Sequence, residues 1–346
     1  VSRFKKEKGL LKVLLKSKVV PPNISIPHLD DYVRQFDVIY SNYNVDISNY
    51  YIYPYNPLVE RFQLNLSRCG NIPVDFSCVL NSDLSIIDEQ LKKCTDDKFK
   101  ERELNLSSLV KKLAQKISLQ LSHSKSKRIA EILSFFPEML YRKPKSFDEA
   151  LQKILFYDAM FWQMGHYHVG LGRLDYILYE YFENDINHNV ATEEELYLKI
   201  KKFISILGKD TTAKSLVLRG DTGQYILLGG INKEGCAINN RLTELFLDAF
   251  TELRIPDPKL ILRVNNKTSD FIWQKAIDCI MTGIGSPLIM CETTIMEKMV
   301  RFGYDENDVW NVGTSACWEP LIIGKCFDMD TRFRSVVEIK HQSNIF

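Results

Sequence analysis

The stretch NVGTSACWEP at residues 311–320 carries the most informative side chains of the 346-residue chain. In an extended backbone, residues two apart share a face, so Ser315, Cys317 and Glu319 are expected to point the same way. Pro320 has no backbone N–H and is typical of the end of a strand. A neighbouring carboxylate raises the pKa of a thiol, which disfavours a thiolate nucleophile. The pair therefore favours hydrogen-atom chemistry at Cys317, and the alternative is an inert cysteine of the core.

Upstream of this stretch, short apolar runs alternate with segments of helical spacing. Such alternation predicts an α/β fold with a largely parallel sheet or a barrel. Strands are expected at 225–230, 259–264 and 287–291. Helices are expected at 147–164, 239–253, 269–283 and 293–301, and a further helix is expected to start at Thr192-Glu193-Glu194-Glu195.

The first third of the chain has a different pattern. It opens with a Lys-rich stretch at 1–18 and continues with a region rich in Tyr, Asn and Asp at 29–80. Helical spacing returns at 83–96 and 99–121. The sequence therefore predicts a mostly helical and loop region over 1–125, followed by the α/β region over 126–346.

Composition excludes several classes of protein. Because 45 Lys and Arg face 44 Asp and Glu, the net charge of +1 gives no global attraction to nucleic acid. No uncharged apolar run reaches the roughly 18 residues of a membrane span. The eight cysteines form no CxxC pair, which indicates reduced thiols and a cytoplasmic protein.

Several segments together resemble the glycyl radical enzymes, the superfamily of pyruvate formate-lyase and the diol dehydratases. In chain order they are SFDEALQ at 146–152, GRLDYILYEYFENDI at 172–186, LGGINKEGCAINNRLTELFLDA at 228–249, IPDPKLILRV at 255–264, GIGSPLIM at 283–290 and VGTSACWEP at 312–320. The resemblance runs from about residue 128 to 325. It implies part of a ten-stranded β/α barrel, with a cysteine loop that reaches into the barrel centre.

The resemblance also implies an activity and a set of site residues. Cys317 would become a thiyl radical that takes hydrogen from a small hydroxylated substrate, and Glu319 would act as general base. The order Cys317-Trp318-Glu319-Pro320 fits the C-x-E-P pattern of the dehydratase and lyase branch. Four more residues are implied as substrate-binding candidates: His168, His166, Asp330 and Asp328. No third ligand of recognisable spacing accompanies the two histidines, so no metal site is expected.

The radical itself is expected outside this chain. In the resembling family the radical glycine lies in a C-terminal R-V-x-G-Y segment, and Arg301-Phe302-Gly303-Tyr304 precedes the cysteine loop, which excludes it from that role. The resemblance implies a separate activating enzyme that uses S-adenosylmethionine and an iron–sulfur cluster, and no cofactor on this chain. A complementing chain or a homo-oligomer would supply the missing strands.

Two alternatives remain at this point. The first is a pyruvate formate-lyase-like formate acetyltransferase, although that branch has two adjacent cysteines and residue 316 is Ala. The second is a truncated, non-catalytic remnant or assembly subunit without the radical glycine.

Overall fold

The computed structural model of the chain describes residues 33, 36–37, 40–41, 43–47, 49–55, 71–163, 168–209, 223–315 and 319–326. They belong to two compact units. The first takes the described residues of Val1–Leu66, Cys78–Pro144 and Gln152–Gly165. The second takes those of Ser67–Ser77, Lys145–Leu151 and His166–Phe346.

The elements alternate as the sequence predicts. Up to residue 163 they are β1 Ile72–Pro73, α1 Phe76–Asn81, α2 Leu84–Lys92, α3 Asp97–Leu121, α4 Lys127–Leu133 and α5 Phe147–Gln163, with a 3₁₀ turn at Glu138–Tyr141. Beyond it they are β2 Val169–Arg173, α6 Leu174–Ile177, α7 Tyr179–Asn187, α8 Glu193–Leu207, β3 Gln224–Gly229, α9 Arg241–Leu253, β4 Lys259–Val264, α10 Asp270–Met281, β5 Leu288–Cys291, α11 Glu292–Arg301, a 3₁₀ turn at Val309–Asn311, β6 Val312–Gly313 and β7 Leu321–Ile322.

The first unit is built around the 25-residue helix α3. Asp96 caps its start by accepting a hydrogen bond from the backbone N–H of Phe99. Val110, Leu113 and Ile117 recur on one face and pack in the same core cluster as Phe156 and Met160 of α5. The helical spacing at 99–121 therefore marks the core face of this unit.

The second unit contains a five-stranded sheet in the order β1-β2-β3-β4-β5, in which every pair is parallel. Between β3 and β4 the register is regular, from Tyr225 opposite Lys259 to Gly229 opposite Arg263. Each strand lies beside its neighbour in the sequence, with a helical segment between successive strands from β2 onward. This singly wound order is the arrangement of a β/α barrel.

Both faces of the sheet are buried, as parallel sheets require. Successive strand residues point to opposite faces. One face, called the inner face below, carries a cluster made of Tyr225, Leu227, Ile261 and Met290. On the other face, Leu228 and Leu262 are fully buried as well. Helix α8 packs on α9, and α9 packs on α10.

The antiparallel pair of β6 and β7 forms a hairpin on the inner face. Val312 pairs with Ile322, and Gly313 pairs with Leu321. A Cβ atom added at Gly313 would lie 3.4 Å from Cδ2 of Leu227, which belongs to the inner-face cluster. The hairpin therefore covers the inner face of the strands.

The elements expected downstream of residue 146 are confirmed. Strand β4 has the expected bounds, and Thr192 opens α8 with a complete capping box that includes Glu195. The expected boundary between residues 125 and 126 differs from the observed division, because α5 from Gln152 onward packs into the helical core with α3. The Lys-rich stretch 1–18 lies outside the described residues. No helix in the described part of the chain is long and apolar enough to cross a membrane.

Candidate active site

Two of the six predicted site residues lie in the described part of the chain. They are Glu319, just before β7, and His168, just before β2. The other four lie outside the described residues: Cys317, His166, Asp328 and Asp330. The geometry of the site is therefore defined by the hairpin around Cys317 and by the strands beneath it.

The incoming arm of the hairpin, residues 310–315, crosses the inner face along the strand direction. It runs from the carboxyl ends of the strands (the carboxyl edge) toward their amino ends (the amino edge). Its start is held at the carboxyl edge, where Nη2 of Arg263 donates a hydrogen bond of 2.8 Å to the carbonyl oxygen of Trp310. Four residues later, Thr314 reaches the beginning of β2, where a Cβ on Gly170 would overlap its carbonyl oxygen. Thr314 and Ser315 are fully buried. The arm thus runs toward the amino edge of the sheet.

His168 lies at that same amino edge. Its Nδ1 is 3.0 Å from Oδ1 of Asn71, and its ring centre is 6.1 Å from that of Tyr225 on the inner face. Its carbonyl oxygen accepts a hydrogen bond of 3.2 Å from the backbone N–H of Ile72. Both the backbone and the ring of this histidine are therefore anchored by β1 and β3.

Two polar residues flank Cys317 on the hairpin. Glu319 is half-buried, and the exposed Pro320 separates it from β7. The hydroxyl oxygen of Ser315 is buried without a hydrogen-bond partner among the described residues. Alternation in an extended chain would put both on the face of Cys317, and this shared orientation stays a prediction.

A buried ion pair lies where the hairpin begins. Arg263 on β4 and Glu292 at the start of α11 are almost completely buried, with 2.8 Å between Nη2 and Oε2. Glu292 also accepts hydrogen bonds from Nδ2 of Asn265 at 2.5 Å and from the backbone N–H of Ile231 at 3.2 Å. The loops that follow β3 and β4, together with Arg263 of β4, therefore converge on one carboxylate.

A buried arginine and a buried aspartate extend this cluster toward β2. Nη2 of Arg173 donates to the carbonyl oxygen of Gly229 at 2.9 Å. Asp175 accepts from the backbone N–H of Gly229 and from the Thr243 hydroxyl, both at 2.7 Å. Arg173 is 1% exposed and Asp175 is fully buried, so neither charge is screened by bulk water.

Burial dominates the electrostatics of this cluster. It raises the pKa of Asp175, against the hydrogen bonds from Thr243 and Gly229. It lowers the pKa of Arg263, and the neighbouring Arg173 guanidinium lowers it further, whereas Glu292 opposes the shift. Guanidinium groups keep their proton in proteins, so the cluster holds two fixed positive charges near the base of the hairpin.

Sequence reasoning assigned no role to this cluster. Arg173 stands in the segment at 172–186 and Arg263 in the segment at 255–264, whereas Glu292 stands two residues beyond the segment at 283–290. A signal was available, because a charged residue inside an apolar strand such as KLILRV is costly to bury unless it is paired.

Gly303 has a structural explanation that agrees with its exclusion as the radical glycine. It follows the end of α11 with a φ of 90°. The backbone N–H of Gly303 donates to the carbonyl of Val300, and that of Tyr304 donates to the carbonyl of Met299. These two bonds form a Schellman motif, which requires a residue of positive φ and favours glycine.

Metal ligands are not grouped in the described part of the chain. Among those residues, no three His, Cys, Asp or Glu side chains come together in an arrangement that could hold a metal ion.

Comparison with protein families gives one match that covers most of the chain. Residues 98–337 match the model of the family described as pyruvate formate lyase-like. This range contains the strands β2 to β5, the hairpin and the buried charge cluster.

Two curated relatives share just over a quarter of the aligned residues with this chain. The (2S)-3-sulfopropanediol dehydratase of Klebsiella oxytoca is 28% identical over 190 residues, which are 53% of this chain and 23% of the relative. The 4-hydroxyphenylacetate decarboxylase glycyl radical subunit of Clostridioides difficile (strain CD196) is 27% identical over 230 residues, which are 61% of this chain and 26% of the relative.

Solved structures show the same fold at lower identity. The 1,2-propanediol-dehydrating enzyme of Roseburia inulinivorans superposes with a TM-score of 0.74 at 18% identity, over 91% of this chain and 52% of that one. The B12-independent glycerol dehydratase of Clostridium butyricum gives 0.74 at 16% identity, over 92% and 52%. The chain therefore spans about a quarter of its curated relatives and about half of these structures.

Proposed function

Since the chain belongs to the pyruvate formate lyase-like family of glycyl radical enzymes, we propose that it is the thiyl-bearing part of a glycyl radical lyase or dehydratase. The expected partial β/α barrel is confirmed by the parallel sheet and by its structural neighbours. The relatives include both dehydratases and decarboxylases of this class. The reaction, the substrate and the roles of single residues are the proposal.

One observation carries the proposal, namely the course of the hairpin across the inner face. The incoming arm starts at the carboxyl edge beside Arg263 and reaches Gly170 near the amino edge. Cys317 follows Ser315 by two residues in the sequence, and His168 lies at the amino edge. We propose that the hairpin carries Cys317 to this buried inner face, because a thiyl radical needs protection from solvent and oxygen rather than ionisation.

The proposed reaction has three steps. The Cys317 thiyl takes a hydrogen atom from the hydroxyl-bearing carbon of the substrate, which makes that hydroxyl more acidic. Glu319 accepts the hydroxyl proton, and the resulting ketyl radical expels a hydroxide from the adjacent carbon; the hydroxide takes this proton from Glu319 and leaves as water. The product radical then takes the hydrogen back from the Cys317 thiol, so the thiyl is regenerated and the net change is loss of water.

Polar groups at the amino edge would hold the departing hydroxyl. His168 is the first candidate, because Asn71 fixes the orientation of its ring. His166, Asp328 and Asp330 complete the proposed substrate-binding set by resemblance.

The glycyl radical would be carried by a segment that residues 1–346 do not contain. A separate activating enzyme would install it with S-adenosylmethionine and an iron–sulfur cluster, and a complementing chain or a second copy would supply the remaining strands. Because oxygen destroys such radicals, we propose an anaerobic cytoplasm as the setting.

Anaerobic reconstitution tests this function. The chain would be combined with a partner that provides the radical segment and with an activating enzyme, and the glycyl radical would be measured by electron paramagnetic resonance. The probes are 1,2-propanediol, glycerol, trans-4-hydroxy-L-proline, (2S)-3-sulfopropanediol and 4-hydroxyphenylacetate. We expect dehydration of at least one hydroxylated probe, and a rate about 10²–10⁴-fold lower in Glu319→Gln.

The other outcomes would overturn the dehydratase proposal in different ways. Carbon dioxide release from 4-hydroxyphenylacetate without dehydration of any probe would favour a decarboxylase. Acetyl transfer from pyruvate would favour the acetyltransferase branch. An intact glycyl radical with no conversion of any probe would favour the non-catalytic subunit.

A further inference from the structure

We propose that Arg263 and Glu292 are positioning residues that fix the incoming arm of the Cys317 hairpin against the sheet. The observation behind this is a fully buried guanidinium that bonds at once to a carboxylate and to a backbone carbonyl of the arm. The consequence for catalysis rests on the proposed function, whereas the contact itself does not.

The guanidinium is held before it meets the hairpin. Nη2 of Arg263 lies 2.8 Å from Oε2 of Glu292 and 2.8 Å from the carbonyl oxygen of Trp310. Glu292 is in turn fixed by Asn265 and by the backbone N–H of Ile231. The position of the Trp310 carbonyl is therefore fixed relative to β4 and to the loops that follow β3 and β4.

A second guanidinium reaches the same residue. Nη1 of Arg173 is 3.5 Å from the Trp310 carbonyl oxygen, and its Cζ lies 5.9 Å from the Trp310 ring centre. The Tyr176 ring packs edge-on against that indole at 6.1 Å. Both the backbone carbonyl and the indole ring of Trp310 are therefore in contact with this cluster, two residues before β6 begins.

Stability alone is a poor reason for this arrangement. A buried ion pair often contributes no more to stability than apolar residues of similar volume, because both charges lose their hydration. What an apolar pair cannot supply is a charged donor for the Trp310 carbonyl. The cluster therefore differs from an apolar pair because its hydrogen bond fixes the position at which the incoming arm begins. Cys317 lies seven residues further along the chain.

Three variants separate positioning from stability. Arg263→Met leaves the Glu292 carboxylate buried and without its positively charged partner. The unfolding midpoint should therefore fall, and the hairpin amides should exchange faster. Glu292→Met leaves Arg263 unpaired in the same way. Arg263→Met combined with Glu292→Met removes both charges, so the unfolding midpoint should return toward that of the parent, while the Trp310 carbonyl still lacks the 2.8 Å hydrogen bond from Arg263 and keeps only the 3.5 Å bond from Arg173.

The readout is hydrogen exchange of the hairpin in the full chain. In the double variant we expect the backbone amides of Val312, Gly313, Ile323 and Gly324 to exchange about tenfold faster, which is the loss of one good hydrogen bond to a charged group. Amides of β3 and β4 should exchange at the parent rate. Arg263→Lys with Glu292 intact keeps one donor and should recover part of the hairpin protection.

A matched control lies on the helical side of the sheet. Lys275 of α10 and Asp248 of α9 form an ion pair at 2.6 Å that is partly exposed and does not contact the hairpin. Their double replacement by Met should leave hairpin exchange unchanged. The proposal is overturned if the Arg263→Met/Glu292→Met protein regains its unfolding midpoint and also keeps parental exchange in the hairpin.

Failure here and failure of the proposed function are distinguishable. Hydrogen exchange needs neither radical nor substrate, so it reports on the contact alone. If the hairpin amides exchange faster as expected but the reconstituted protein converts no probe, the positioning role of Arg263 and Glu292 is supported and the proposed reaction is refuted.

Discussion

The close approach of the hairpin to β2 can be tested by adding one methyl group. Residue 170 is glycine, and an added Cβ would overlap the carbonyl oxygen of Thr314 and lie 3.1 Å from its carbonyl carbon. The obstacle is backbone, which cannot rotate away as a side chain can. Gly170→Ala should therefore push the incoming arm off the inner face.

The magnitude follows from the cost of overpacking. Inserting a methyl group into a closely packed region typically costs about 1–3 kcal/mol. If the strain is relieved by local opening of the hairpin, its amides should exchange about 5- to 150-fold faster, since every 1.4 kcal/mol is a factor of ten. The reporters are the backbone N–H groups of Gly324, which donates to Pro73, and of Ile323, which donates to Asn311.

The chain offers a control with the same geometry. A Cβ at Gly208, the C-cap of α8, would overlap the carbonyl oxygen of Asp257 and also lie 3.1 Å from its carbonyl carbon. Gly208→Ala should lower the unfolding midpoint by a similar amount without raising hairpin exchange relative to β3 and β4. Equal exchange of Gly324 in the Gly170→Ala protein and its parent would refute the packing of the hairpin against β2.

Three further predictions follow from burial and capping. Iodoacetamide should label the exposed Cys236 quickly and the buried Cys279 slowly in the native chain, since burial raises the pKa of Cys279; equal labelling by peptide mass spectrometry would contradict this. Burial also raises the pKa of Asp175 above 3.8, so its contribution to stability is complete below about that pH and is lost as pH rises through the raised value. In urea unfolding across pH, the free energy of unfolding of the Asp175→Asn variant should therefore fall less with rising pH than that of the parent. At pH 7 the variant should be no less stable than the parent. Thr192→Ala removes the capping box with Glu195 and should cost about 1 kcal/mol in the same assay, whereas a cost near zero would mean that this cap is not needed.

Much of the α/β unit could be predicted from local sequence. KLILRV is a mainly apolar run with two basic residues, Lys259 and Arg263, and it forms a strand over Lys259–Val264 as expected. Ser269 begins the helix α10 by accepting a hydrogen bond from the backbone N–H of Ile272. These signals are local, because they depend on side-chain period and on capping within a few residues.

The parts that escaped prediction depend on long-range contacts. Strand β1 has only two residues, Ile72 and Pro73, and is defined by pairing with β2 rather than by its own pattern. The partners of Arg263 come from residues 29 and 47 positions away, at Glu292 and Trp310. No period in the sequence reveals which strand face a later hairpin will cover, so the inner face emerged only from the fold.

Resemblance to the family predicted the reacting residues of the candidate site. The resemblance singled out the hairpin and His168, and the structure brings the incoming arm and His168 toward the same edge of the sheet. The orientation of Glu319 toward Cys317 stays a prediction. The buried cluster at the opposite edge was missed, because resemblance transfers the residues that react and not those that hold the reacting loop.

The most direct test of the central claim is the Cys317→Ser variant in the reconstituted, anaerobically activated protein. Glycyl radical content would be measured by electron paramagnetic resonance alongside turnover of whichever probe the parent dehydrates. The account predicts a radical signal as strong as that of the parent and no turnover, because an oxygen at residue 317 cannot relay the hydrogen atom as sulfur does. Turnover at the parental rate would contradict the claim that Cys317 abstracts hydrogen from the substrate.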